Sequence, residues 1–215
     1  IASLDGQIDI KFIMSKLYVA EADSDVKHFF LENLKVFLDK VFYFELPEDW
    51  IETNTFGPLL FDVSNNEVNY FSLGGYGIDF KFDIVATNPP YKNLRIERRN
   101  CSSDQEYTDI KQRYQIISSK AKEICKNASF RSKNLYKYFI EEILQNYLKE
   151  DGIASILVPQ SILSDSSSKV LRSYILENYD LIQASAISES AKYVSANQAL
   201  SNLIILNRNP NPEIQ

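Results

Sequence analysis

Residues 82 to 91 read Phe82-Asp83-Ile84-Val85-Ala86-Thr87-Asn88-Pro89-Pro90-Tyr91. The first six, apolar or β-branched except Asp83, read as a short apolar strand. Asn88 and the two prolines stop it, because neither proline can donate to a ladder and Pro90 confines Pro89 to an extended conformation. The strand therefore gives way to a stiff loop carrying acceptors: the Asn88 side-chain carbonyl and the Pro89 peptide carbonyl. Two such oxygens fit the two hydrogens of an exocyclic amine such as that of adenine. Its lone pair is shared with the ring, so it needs help to become a nucleophile. Acceptors aimed at both N–H groups favour the charge that develops as the nitrogen turns tetrahedral. Tyr91 adds a flat face for a base taken out of its stack. No strong general base is required, since the amine becomes acidic only once it is alkylated. A plain strand-ending turn would use Asn and Pro as well, but would have no need for the aromatic.

Working outward, strands and helices alternate. Upstream, residues 16–22 read as a strand. The helix expected over 25–40 aligns Val26, Phe29, Phe30, Leu34, Phe37 and Leu38 on one face. Residues 50–56 read as a further strand, with Trp50 as core, and Asn65, Asn66, Gly74, Gly75 and Gly77 mark a loop or hairpin. Downstream, a helix is expected over 104–125, with Ile110, Tyr114, Ile117, Ala121 and Ile124 at three-and-four spacing. A second is expected over 134–149, ended by Gly152. Residues 153–158 are almost wholly apolar, as in a buried parallel strand, and Pro159 stops them. After a serine-rich loop come a helix near 166–178 and two apolar runs, 180–187 and 200–206, suited to antiparallel pairing. The order predicts an α/β, doubly wound and mostly parallel sheet with an antiparallel C-terminal strand. In such sheets ligands collect beyond the carboxyl ends of the strands, where Asn88 lies.

The 215 residues, 45% hydrophobic, suffice for a sizeable core. Cys101 and Cys125 show no paired spacing, so neither a disulfide framework nor a metal site is expected. The single histidine, His28, excludes mechanisms that need two, and packing or exposure is its expected role. No apolar run approaches membrane-spanning length, and a soluble, cytoplasmic protein is expected. The net charge of −6 conceals an imbalance. Between Lys92 and Lys137 twelve Lys and Arg face five acids, a surplus of seven that leaves −13 on the remainder. That basic block directly follows the acceptor loop, which favours a phosphate-facing surface.

These residues together resemble the N6-adenine DNA methyltransferases of bacterial restriction-modification systems, in the branch whose cofactor motifs precede the catalytic one. Besides Asn88-Pro89-Pro90-Tyr91, three stretches carry the resemblance: residues 134–141 (Asn134-Leu135-Tyr136-Lys137-Tyr138-Phe139-Ile140-Glu141), 153–159 and 171–178. It implies a Rossmann-like methyltransferase fold over the whole chain, with a basic helical insertion at about 92–133. It further implies S-adenosylmethionine as methyl donor, a flipped adenine in double-stranded DNA as acceptor, and direct transfer at Asn88, Pro89, Pro90 and Tyr91. A restriction endonuclease or specificity module, fused or separate, would be a partner. Glu21 matches the acid that holds the cofactor's ribose hydroxyls, and Asn54 falls where the family places a residue near the cofactor's adenine. The family's Gly-rich cofactor loop has no counterpart before residue 16, so the chain is expected to be a catalytic domain truncated at its N-terminus, the loop lying upstream of Ile1. Two other readings share the loop: protein glutamine N-methyltransferases, and a catalytically inactive methylase-like DNA-binding subunit.

Overall fold

A computed structural model describes residues 9–62, 69–126, 133–187 and 199–208. The chain divides into two compact units, Ile1–Ile78 and Asp79–Gln215.

In the first unit, helix α1 (Ile10–Lys16) opens on Asp9, whose carboxylate accepts the Phe12 N–H at 2.9 Å. Only Val19–Ala20 forms a strand, β1, so the extended run expected over 16–22 is shorter than its apolar content suggests. Helix α2 (Ser24–Phe42) is capped by Asp23, which takes the N–H groups of Asp25 and Val26, and ends where Tyr43 turns left-handed at φ 51°. Residues 48–54 correct the expected strand: they form helix α3 (Glu48–Asn54). Pro47 fixes the entry, Glu48 and Asp49 complement the positive helix start, and only Thr55–Phe56 (β2) stays extended. β1 and β2 pair in parallel, Val19 opposite Thr55 and Ala20 opposite Phe56. β3 (Leu60–Asp62) and β4 (Asn69–Phe71) pair antiparallel, and Asn65 and Asn66, expected in a loop or hairpin, lie outside the described residues.

Its core gathers Met14, Leu31, Leu38, Leu46 and Trp50, and the Trp50 indole N–H donates to the Met14 carbonyl at 2.6 Å. Trp50 is core, as expected. The α2 stripe is so only in part: Leu38 is buried with Leu31 and Leu34 packs against them, whereas Val26, Phe29, Phe30 and Phe37 are exposed, Phe29 to 72%. α2 is apolar over more of its circumference than the small core can cover.

The second unit is a four-stranded mixed sheet with helices. Strand β5 (Phe82–Thr87) pairs in parallel with β6 (Leu148–Pro159), Ile84 opposite Ile153 through Thr87 opposite Ile156. β7 (Asp180–Ala186) and β8 (Leu200–Leu206) pair antiparallel as their patterns predicted, and β8 also lies antiparallel to β6, giving the order β5-β6-β8-β7. Helix α4 (Asp104–Ile124) starts at Ser103, whose hydroxyl accepts the Glu106 N–H, while Glu106 reaches back to the Ser102 N–H at 2.6 Å. The expected 134–149 helix is shorter: α5 (Leu135–Glu142) widens into one π turn over Ile143–Tyr147 and becomes strand at Leu148. Helix α6 (Lys169–Asn178) follows β6. Leu135, Tyr138 and Ile140 of α5, Ile117 and Ala121 of α4, Leu171 of α6, and Ile156 and Ile205 of the sheet are almost fully buried and form the core of this unit. No helix among the described residues is long and apolar enough to cross a membrane.

Candidate active site

The acceptor loop leaves the carboxyl end of β5 as expected, and β6 holds its base by four consecutive rungs. Pro89 is buried and Asn88 exposed, so the loop is anchored at the proline and presents the amide. No hydrogen bond among the described residues engages the Pro89 carbonyl. The Tyr91 side chain folds back: its hydroxyl donates to Asn88 Oδ1, with the Leu157 carbonyl of β6 as a second acceptor at 3.2 Å. One proton cannot serve both fully. Oδ1 keeps a second lone pair. The Tyr91 ring meets Tyr136 of α5 edge to face, centroids 6.2 Å apart at 78°. Partial burial pushes the Tyr91 phenol up to about 12, so it is a neutral donor throughout the physiological range.

Behind this wall lies a fastening that the sequence pattern did not single out. Lys137, its side chain almost fully buried, donates to Ser167 Oγ at 2.9 Å and stands 3.8 Å from Asp165, and its ammonium lies 5.9 Å from the Tyr136 ring centroid. Burial lowers its pKa from the usual lysine value, against the pull of Asp165. From α6, Arg172 donates to the Ile162 and Asp165 carbonyls, both at 2.7 Å. The loop that continues from β6 is thus tied to two helices. Lys137 between buried Tyr136 and Tyr138 was the available signal, since a buried lysine demands a partner.

In the first unit, Glu21 follows β1 directly and is half-buried. Its Oε1 accepts the Asp23 N–H at 2.9 Å, and its backbone N–H joins the Phe56 carbonyl. Asn54 is buried at the opposite end of the short ladder. Its Nδ2 donates to the Leu17 carbonyl at 2.9 Å, and its Oδ1 accepts the Thr53 hydroxyl at 2.7 Å. The structure does not bring it together with Glu21. His28 is exposed on α2, and no group of three His, Cys, Asp or Glu among the described residues could hold a metal. Cys125 is buried, and burial with nearby Glu141 and Glu142 raises its thiol pKa.

An acceptor loop at the end of a parallel strand, in an α/β sheet that closes with antiparallel strands, defines a Rossmann-like methyltransferase fold. A family model described as Eco57I restriction-modification methylase matches residues 17–193, and the chain belongs to that family. No curated protein matches. Among solved structures, a DrdV–DNA complex is similar over 95% of this chain and 21% of its own, at 16% identity and TM-score 0.55. A protein described as a class I S-adenosylmethionine-dependent methyltransferase, from Listeria monocytogenes, is similar over 61% of this chain and 33% of its own (18% identity, TM-score 0.42). A modification subunit described as that of a type I restriction enzyme, from Vibrio vulnificus YJ016, matches 60% of this chain and 24% of its own (18% identity, TM-score 0.40). The matched region thus spans between about a fifth and a third of these structures.

Proposed function

We propose that this chain carries the chemistry of an adenine-specific DNA methyltransferase of a restriction-modification system, acting on the N6 amine of a base extruded from the duplex. The carrying observation is the Asn88 amide, exposed at the end of β5 with its carbonyl oxygen oriented by the Tyr91 hydroxyl. Asn88 Oδ1 and the Pro89 carbonyl accept the two amine hydrogens, and Tyr91 bounds the base. S-adenosylmethionine, when bound, supplies the electrophilic methyl group. The fit of this chain to it rests on Glu21, whose Oε1 is engaged by one N–H while its other oxygen is left to accept ribose hydroxyls. Asn54, whose amide is engaged by Leu17 and Thr53, is the second cofactor contact that the resemblance implies. Orientation and aimed acceptors carry the rate, without a covalent enzyme intermediate.

Asn88→Ala in the complete protein removes the acceptor that matters most as the amine becomes tetrahedral. Single-turnover methylation of adenine-containing duplex is expected to fall by ~10²-fold or more, with DNA and cofactor affinity nearly unchanged. Methylation of adenine at the unaltered rate would overturn the reading.

A further inference from the structure

The segment after the acceptor loop lines a concavity. Residues 92–97 leave Tyr91 and are held to the chain ahead of α5: Leu94 N–H donates to the Lys133 carbonyl at 2.6 Å, and Leu135 N–H to the Lys92 carbonyl at 2.9 Å. A bridge between Asn93 and Asn134 reinforces them. Opposite runs α4, whose Tyr107, Lys111, Tyr114 and Gln115 share one face at helical spacing. Between them lies a groove of about 310 Å³, within the size range of small-ligand clefts.

Its chemistry is divided. Leu94 is buried at the floor, beside half-buried Ile96 and the two tyrosine rings, while Arg95, Lys111 and Lys133 stand at the rim. The Lys111 ammonium lies 5.4 Å from the Tyr107 centroid, and that of Lys92 lies 5.8 Å from the Tyr114 centroid. These are long cation–π contacts that hold the charges near the rings yet leave them free to swing. Among the described residues none of Lys92, Arg95, Lys111 and Lys133 pairs with a carboxylate, whereas Arg98 is taken by Asp104 and Arg99 by Glu97, the groove's one acid. Part of the basic block's unneutralised charge therefore lies here and not on Arg98 and Arg99, while Arg113, Lys120, Lys122 and Lys126 likewise pair with no carboxylate among the described residues.

Phosphate alone would need no apolar, aromatic floor. An apolar peptide would gain nothing from unpaired cations at its rim. A nucleotide answers both, with its base over the rings, an edge within reach of the Gln115 amide, and its phosphate on the rim. Arg95 is four residues beyond Tyr91, at most about 14 Å of chain, while a stacked strand advances about 3.4 Å per nucleotide. The groove thus begins within a few nucleotides of any base held at Tyr91. We infer that it is a subsite for an unstacked DNA nucleotide flanking the target base. Such contacts contribute to the choice of sequence context in enzymes that act on extruded bases. The inference rests on the DNA reading above.

The test irradiates the complete protein with oligothymidylate carrying one 5-iodouracil, and with a duplex carrying the same analogue in a one-base bulge. Mass spectrometry then maps the adduct. The adduct is expected on Tyr107 or Tyr114. Tyr107→Ala with Tyr114→Ala should abolish it and weaken both probes about tenfold or more, whereas the two Phe replacements keep it. Lys111→Gln and Lys133→Gln should each lower the salt slope by about 1. Adducts only elsewhere, with affinity unchanged in the double Ala variant while DNA is still bound and methylated, would overturn the groove and leave the DNA reading standing. Absence of binding to any DNA would overturn both. Occupation by thymidine monophosphate with no DNA adduct would assign the groove to a free nucleotide and overturn the inference.

Discussion

Tyr91 carries more than a ring. Its stacking face is evident from residue type alone, but its hydroxyl, seen only once the loop is folded, orients the Asn88 amide and reaches toward β6. Two roles on one side chain can be separated. Tyr91→Phe keeps the face and frees the amide rotor, so single-turnover methylation should fall about tenfold, the scale of one hydrogen bond, while 2-aminopurine fluorescence reports undiminished base extrusion. Tyr91→Ala should lose extrusion as well. An unchanged rate in the Tyr91→Phe variant would show that the hydroxyl bond does not position Asn88.

At the scale of elements, β6 shows what a pattern cannot reveal. Its pairing with β5 jumps from Leu148 opposite Phe82 to Ile153 opposite Ile84, so residues 149–152 bulge outward against Asp83 alone. Asp151 takes the left-handed turn there at φ 59°, stitched by its N–H to the Asn207 carbonyl, and Asn207 N–H returns to the Gly152 carbonyl. Gly152 serves neither as helix stop nor as turn residue. A Cβ on it would meet Leu148 Cδ1 at 2.9 Å, the Lys149 carbonyl at 3.0 Å and the Asp83 carbonyl at 3.1 Å. Two of those neighbours are backbone, which yields little. Gly152→Ala is accordingly expected to destabilise the protein by about 1–3 kcal/mol in urea unfolding, the usual cost of overpacking. An unchanged midpoint would show that the bulge relaxes freely.

The same elements show where sequence was enough. α4 was legible from its three-and-four spacing and Ser103 cap, β5 and the β7–β8 pair as short apolar runs, and the acceptor loop because two prolines leave its backbone few choices. Residues 48–54 misled because Trp, Ile and Thr favour strands while Pro47 and the acids after it start a helix, and the local start prevails. The α5 end misled because a π turn keeps nearly the helical spacing. Lys137 and Arg172 lie in the resembling stretches, yet their part in fastening the loop depends on serines and carbonyls that only the fold brings near.

For the whole molecule, buried phenols set an alkaline limit. Burial pushes Tyr91, Tyr136 and Tyr138 up to about 12, and Tyr179 higher. An unfolded tyrosine ionises near pH ~10. Below that both states hold the proton and stability is flat. As pH rises from about 10 through 12, the unfolded chain loses protons that the folded one keeps, so stability falls. Of the 13 tyrosines, these four should gain tyrosinate absorbance only as circular dichroism is lost. Their ionisation ahead of unfolding would contradict the burial described. No such titration touches the site at neutral pH, so any slope of methylation rate there originates outside these four phenols.

The pairing of β5 with β6 bears on all of this. Among the described residues β5 has a neighbour on one side only, and its Ile84 is 73% exposed. Through that described pairing, the stiffness of the loop's acceptors is borrowed from the β6 backbone. Slack introduced into it would reach Asn88 without altering any residue that touches a substrate.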